Sequence, residues 1–180
     1  MTKQVRQAID LSSYADFAPG WYIVGASGDL KSEPKPVLLN GLPLVTFRDS
    51  SGQSVALLDR CSHRNAPLSA GRIVDGNIEC HYHGWQFDGS GACRSVPGSC
   101  SDSDHPARRV TSFACRDSQG WTWVYSRPDV EPDHEPYVIP YADQTGYLTI
   151  REHLRMPGPL DAVAENALDV PHTAFVHSGL

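Results

Sequence analysis

Two short runs of this 180-residue chain carry side chains that can bind metal. Residues 61 to 63 read Cys-Ser-His, and residues 80 to 83 read Cys-His-Tyr-His. Cys61, His63, Cys80 and His83 therefore offer two thiolates and two imidazoles, one of each per run, with His81 out of register. Zinc fingers group cysteine with cysteine and histidine with histidine along the chain. Here each run is mixed, which suits a two-iron centre with both Cys on one iron and both His on the other. Neutral imidazoles donate less charge than thiolates, so the His-bound iron would accept the electron, at a raised potential. Gly84 is expected to let backbone N–H groups approach such a centre. A structural zinc knot and unrelated residues of a β core are the competing readings.

A second group lies at Glu165–His177, ENALDVPHTAFVH. Asp169, His172 and His177 are spaced D-x-x-H-x-x-x-x-H. On a regular helix Asp169 and His172 share a face, whereas His172 and His177 stand about 140° apart. Pro171 removes a helix hydrogen bond and clashes with the preceding turn. A break just before His172 would let both imidazoles converge on one metal ion.

The elements around these residues read as short strands. Fifteen Gly and 14 Pro punctuate β-like runs at 21–24, 36–39, 44–47, 54–59, 72–74, 77–80, 85–88, 109–115 and 121–125, with turn signals such as Gly41-Leu42-Pro43 and Asp75-Gly76 between them. Such spacing predicts a small antiparallel β sandwich or barrel. Residues 127–146 read as a Pro-rich linker or irregular exit. Beyond it a strand is expected over YLTIREHL (147–154), then a helix from Asp161 to about Asp169 with Asp161 as a possible N-cap.

Composition removes several function classes. Lys plus Arg number 15 against 21 Asp plus Glu, a net charge of −6, and no block of like charges occurs. The footprint of a nucleic-acid binder is missing. No apolar run reaches the roughly 18 residues of a membrane span, and the first 20 residues hold no signal-like apolar stretch. A cytoplasmic protein is expected. Five cysteines, an odd number, argue against a disulfide framework in a reducing compartment. Cys93, Cys100 and Cys115 are read as structural or free thiols. His105, His134 and His153 are read as surface residues.

The segment CSHRNAPLSAGRIVDGNIECHYHGW (61–85) resembles the Rieske family, over roughly residues 20 to 126. Respiratory members add a Cys to each loop and join them by a disulfide. This chain has Ala66 and Tyr82 near those places, so it is closer to the lower-potential ferredoxins and oxygenases. With residues 165–177 included, the chain resembles the N-terminal portion of the α subunit of Rieske non-haem iron oxygenases, the aromatic-ring-hydroxylating family. The wording HRNAPLSAG is nearer the monooxygenase, demethylase and chlorophyll-oxidising branch than the naphthalene-type dioxygenases.

That resemblance implies a mainly β fold: a Rieske antiparallel β-sandwich domain, then the first strand and helix of an α+β catalytic domain of helix-grip type. The implied domains are an N-terminal arm (1–20), the Rieske domain (21–126), a linker (127–146) and an incomplete catalytic domain (147–180). Cys61, His63, Cys80 and His83 would hold a [2Fe–2S] cluster. His172 and His177 would be two ligands of a mononuclear Fe(II) in a 2-His-1-carboxylate triad, and no carboxylate in residues 1–180 matches the third. Asp169 would be the bridging carboxylate linking His83 of a neighbouring subunit to His172. Electrons from NAD(P)H would arrive through a separate reductase or ferredoxin, and O2 would oxidise a small organic substrate by hydroxylation or demethylation, within a homotrimer. The alternative is a Rieske ferredoxin-like electron-transfer module with no catalysis of its own.

Overall fold

The hairpins follow from residues that tolerate a left-handed backbone. Asn40-Gly41, Asp75-Gly76 and Gln119-Gly120 all have positive φ, the signature of two-residue turns that match strand twist. The first of these turns lies one residue ahead of the Gly41-Leu42-Pro43 expected from the sequence. A computed structural model describes residues 18–99, 103–152 and 154–177, and the chain divides into two units at Pro140 and Tyr141.

In the first unit, the described residues form two antiparallel sheets. Six strands, β1 (Trp21–Ala26), β2 (Lys35–Leu39), β3 (Leu42–Arg48), β4 (Ser54–Leu58), β9 (Ser112–Ser118) and β10 (Trp121–Pro128), are ordered β1-β10-β9-β4-β3-β2. The smaller sheet runs β5 (Arg72–Val74), β6 (Asn77–Glu79), β7 (Gln86–Phe87) and β8 (Cys93–Ser95). β8 is an element that the sequence reading omits. Every residue of β4 is buried, so the side chains on both of its faces are covered, and its near-continuous apolar run reads accordingly. Phe47, Leu44, Leu57, Leu68, Ile78 and Phe87 are buried completely. The last three belong to the segments beside the Cys/His runs, so burial that stabilises the domain also fixes the ends of both loops. Where a strand was expected from Arg109, β9 begins only at Ser112: a 3-10 turn covers Pro106–Arg108, and Val110 donates its N–H to Gly91.

Much of the expected linker is tied to this unit. Arg116 pairs with Glu131 and Glu135, Trp21 Nε1 donates to the His134 carbonyl, and Gln119 exchanges two hydrogen bonds with Ile139. The expected arm falls mostly outside the described residues.

In the second unit the described residues before Leu160 form turns and irregular backbone, and helix begins at Leu160. α1 (Leu160–Leu168) is followed by a 3-10 turn, Val170–His172, and a short α2 (Thr173–Val176). The residue at the N-cap position of α1 is Pro159, and no side chain caps it; Asp161, expected there, lies inside the first turn. The strand expected at 147–154 is absent from the described residues 147–152. Leu148 and Ile150 are largely exposed, and a strand without a ladder partner has neither backbone bonds nor a buried face to hold it.

Candidate functional site

Loop one leaves β4 of the large sheet, and loop two joins β6 to β7 of the small one. Both close in the same way. The Cys61 N–H donates to the Ala66 carbonyl at 2.8 Å and the Asn65 N–H to the Cys61 carbonyl at 2.9 Å. The Cys80 N–H donates to the Trp85 carbonyl at 2.8 Å and the Gly84 N–H to the Cys80 carbonyl at 2.9 Å. The fifth residue of each hoop, Asn65 or Gly84, has a positive φ of 61° or 67°. The difference between C-x-H and C-x-x-H is therefore not one of loop length. Identical hoops present the imidazole from their third residue in one case and from their fourth in the other.

The N–H of Gly84 itself is committed to the Cys80 carbonyl. What requires glycine there is the left-handed backbone, with a Cβ that would stand 3.0 Å from the Pro97 side chain. Other residues hold the loops. Arg60 Nε donates to Asn65 Oδ1, Asp59 accepts from the backbone and hydroxyl of Ser69, and Glu79 binds both Arg72 and Gln86 across β5, β6 and β7.

The four candidate ligands come together in pairs. Cys61 and Cys80 are buried, at 1% and 2% exposure, with their thiols near enough to influence each other's ionisation. The His63 and His83 rings stand edge to face, centroids 4.6 Å apart. Burial pushes the Cys61 thiol above its usual range, the His63 and Arg64 N–H groups aimed at its sulfur oppose this, and the neighbouring Cys80 reinforces it. Since a metal binds thiolate, loading the site must release protons.

The two imidazoles have unlike surroundings. His63 is half-buried and lies flat against Trp85, interplanar angle 2° and centroid distance 4.6 Å. Its Nδ1 atom is buried and makes no hydrogen bond in the protein, as an atom reserved for metal would be. His83 is exposed and leans on Tyr82, ring centroids 4.0 Å apart. Thiol beside thiol and ring beside ring is the division that a [2Fe–2S] cluster with two Cys on one iron and two His on the other requires. The donor set fits the cluster.

The second constellation also assembles. α1 ends at Leu168, and the ψ of 70° at its C-cap Asp169 breaks the helix two residues ahead of Pro171. The break brings the His172 and His177 rings to a centroid separation of 5.4 Å. His172 Nδ1 faces the Asp169 carbonyl oxygen, with the Asp169 carboxylate 3.5 Å away. A carbonyl only accepts, so Nδ1 carries the proton and Nε2 is left to ligate.

Of the spare thiols, Cys93 and Cys115 are buried. Burial raises Cys115 to about 11, against the pull of a hydrogen bond with Ser54, so it is inert at neutral pH. Cys100 and His153 lie outside the described residues. His81, His105 and His134 are exposed; His105 Nδ1 accepts from the Ala107 N–H and caps the 3-10 turn. Sequence reasoning assigns no role to Ser62, Asn65, Trp85 or Arg108. The position of Trp85, directly after His83-Gly84, was a usable signal; Arg108, far along the chain, offered none.

Residues 20–113 match the Rieske [2Fe-2S] domain family. The chain is 31% identical to chlorophyllide a oxygenase, chloroplastic, of Chlamydomonas reinhardtii over 97% of this chain and 27% of that protein. It is 32% identical to a putative toluene-4-sulfonate monooxygenase system iron-sulfur subunit of Comamonas testosteroni over 87% of this chain and 45% of the relative. The solved structure of NdmB from Pseudomonas putida CBB5 superposes with a TM-score of 0.78 at 29% identity, over 88% of this chain and 50% of that one. The chain thus spans half or less of the length of these relatives. No helix of the described residues is long and apolar enough to cross a membrane. Mixed Cys/His loops of one shared geometry, set on a two-sheet β unit and matched over residues 20–113, place the chain in the Rieske [2Fe–2S] domain family.

Proposed function

We propose that Cys61 and Cys80 ligate one iron of a [2Fe–2S] cluster and His63 and His83 the other, and that the chain is the cluster-bearing portion of a Rieske oxygenase. The observation that carries this reading is the pairing itself: two buried thiols near enough to influence each other's ionisation and two imidazoles 4.6 Å apart, presented by matched hoops. When bound, the cluster supplies a one-electron relay. The residues divide its surroundings. Cys61 and Cys80 anchor it in the core, Trp85 covers the His63 side, and the exposed His83 marks where electrons exchange with a partner. That partner is a reductase or ferredoxin drawing on NAD(P)H.

His172 and His177 hold a mononuclear Fe(II), with a carboxylate that is not among residues 1–180 completing the triad. Asp169 orients His172 through Nδ1 and bridges to His83 of a neighbouring subunit in a homotrimer. The intact protein oxidises a small organic substrate with O2, as the names of its relatives describe for theirs. A second reading, an electron-transfer module of Rieske ferredoxin type, is favoured by the self-contained core of the first unit. Iron and acid-labile sulfide analysis separates the two. The oxygenase reading expects two sulfides with a third iron that H172A removes, whereas two irons unaffected by H172A support the module. Stoichiometric zinc without sulfide contradicts both.

A further inference from the structure

Arg108 connects both hoops although it belongs to neither. It closes the 3-10 turn Pro106–Arg108, where its N–H donates to the His105 carbonyl at 2.8 Å. Its own carbonyl accepts from Ser62 Oγ at 2.6 Å, and Ser62 stands between Cys61 and His63. Its guanidinium, half-buried, lies over the Trp85 ring with Cζ 5.7 Å from the centroid. His63 also lies on that indole, with ring planes 2° from parallel. Trp85 thus touches both the arginine of the 3-10 turn and the imidazole of loop one. The adjacent Arg109 is exposed and points elsewhere, donating to the Ser90 carbonyl.

Two consequences follow from ordinary electrostatics. A cation over an indole is attracted to it, so Arg108 helps fix the Trp85 ring on which His63 stacks and so restricts the imidazole's rotation. One-electron reduction adds negative charge beside His63, and a fixed, half-buried positive charge stabilises that state more than the oxidised one. His83, exposed beside Tyr82, has no comparable clamp in these contacts. We propose that Arg108 is a positioning residue of the iron–sulfur centre, holding His63 in place through Trp85 and setting the reduction potential of the histidine-bound iron.

This rests on the ligand assignment proposed above, and the two can fail separately. If wild-type protein shows no rhombic [2Fe–2S] signal after dithionite reduction, the assignment fails. If the signal is present, the midpoint potential tests Arg108. R108M should shift the reduced-to-oxidised ratio at fixed potential by about tenfold toward oxidised, a fall of about 59 mV for one electron. Its EPR spectrum should broaden as His63 gains freedom. R108K, which keeps the charge but loses the planar stack, should recover most of the potential and not the line shape. R109M should match wild type. An unchanged potential in R108M, or equal shifts in R108M and R109M, overturns the proposal. If R108M fails to load a cluster, restored loading in R108K supports the role of the cation, and failure of R108K as well reduces Arg108 to packing and overturns it.

Discussion

The chain holds two histidine pairs, and they are built differently. His63 and His83 stand on hoops flanked by the buried Leu68, Ile78 and Phe87; each hoop is closed by its own backbone hydrogen bonds, and the first is held further by side-chain bonds at Asn65 and Ser62. His172 and His177 are brought together by a single local event, the break at Asp169 before Pro171, on a segment where Leu168, Val170, Phe175 and Val176 remain exposed. Tertiary packing preorganises the first pair. Only chain geometry within ten residues preorganises the second. The comparison teaches that a ligand motif can be equally clear in sequence yet differ in what sets its geometry.

The largest effect that separates the pairs is loss of a thiolate. C61S or C80S should abolish the visible absorbance and EPR signal of the cluster while leaving any Fe(II) bound at His172 and His177, checked by metal analysis of the purified variants. Loss of both metals would mean that the two centres are not independent. P171A works in the other direction. With proline gone the helix can continue through His172, placing the imidazoles about 140° apart, so Fe(II) affinity at that pair should fall at least tenfold with the cluster signal unchanged.

Smaller effects probe the hoops. G84A forces a left-handed backbone on alanine and sets its Cβ 3.0 Å from Pro97. We expect a loss of about 1–2 kcal/mol in chemical denaturation of the metal-free protein. Asp88, in the loop after β7, gives the smallest effect. Burial alone would raise its carboxyl, but hydrogen bonds from the Ser90 and Arg94 side chains and the Ser90 and Ala92 N–H groups outweigh this and hold it below the usual carboxylate range. Its contribution is therefore present above the unfolded value near pH ~4 and disappears as pH falls through the lower folded value. D88N should lower Tm near neutral pH and flatten its decline below pH ~4. An acid limb as steep as wild type would show that other carboxylates govern it.

Much of the β unit was legible because alternation and turn chemistry are local. Asp75-Gly76 could be placed from residue types alone, and so could the run that became β4. β8 escaped because Cys93–Ser95 lacks the β-branched residues that mark the equally short Arg72–Val74, and the strand expected at 147–154 failed because pairing depends on a neighbour rather than on its own residues. The ligand set was legible as spacing. The common hoop was not, since Asn65 and Gly84 share a backbone conformation but no side-chain chemistry. The contacts of Trp85 with Arg108 and with His63 join residues 45 positions apart, and only the folded sheets bring them into register.

The central claim is that two irons divide these ligands, thiolates to one and imidazoles to the other. Pulsed EPR of the dithionite-reduced protein tests it most directly. The account predicts a rhombic [2Fe–2S] spectrum with two inequivalent nitrogen couplings, one lost in H63C and the other in H83C. A protein with stoichiometric zinc and no such spectrum, or a cluster without nitrogen coupling, would contradict it.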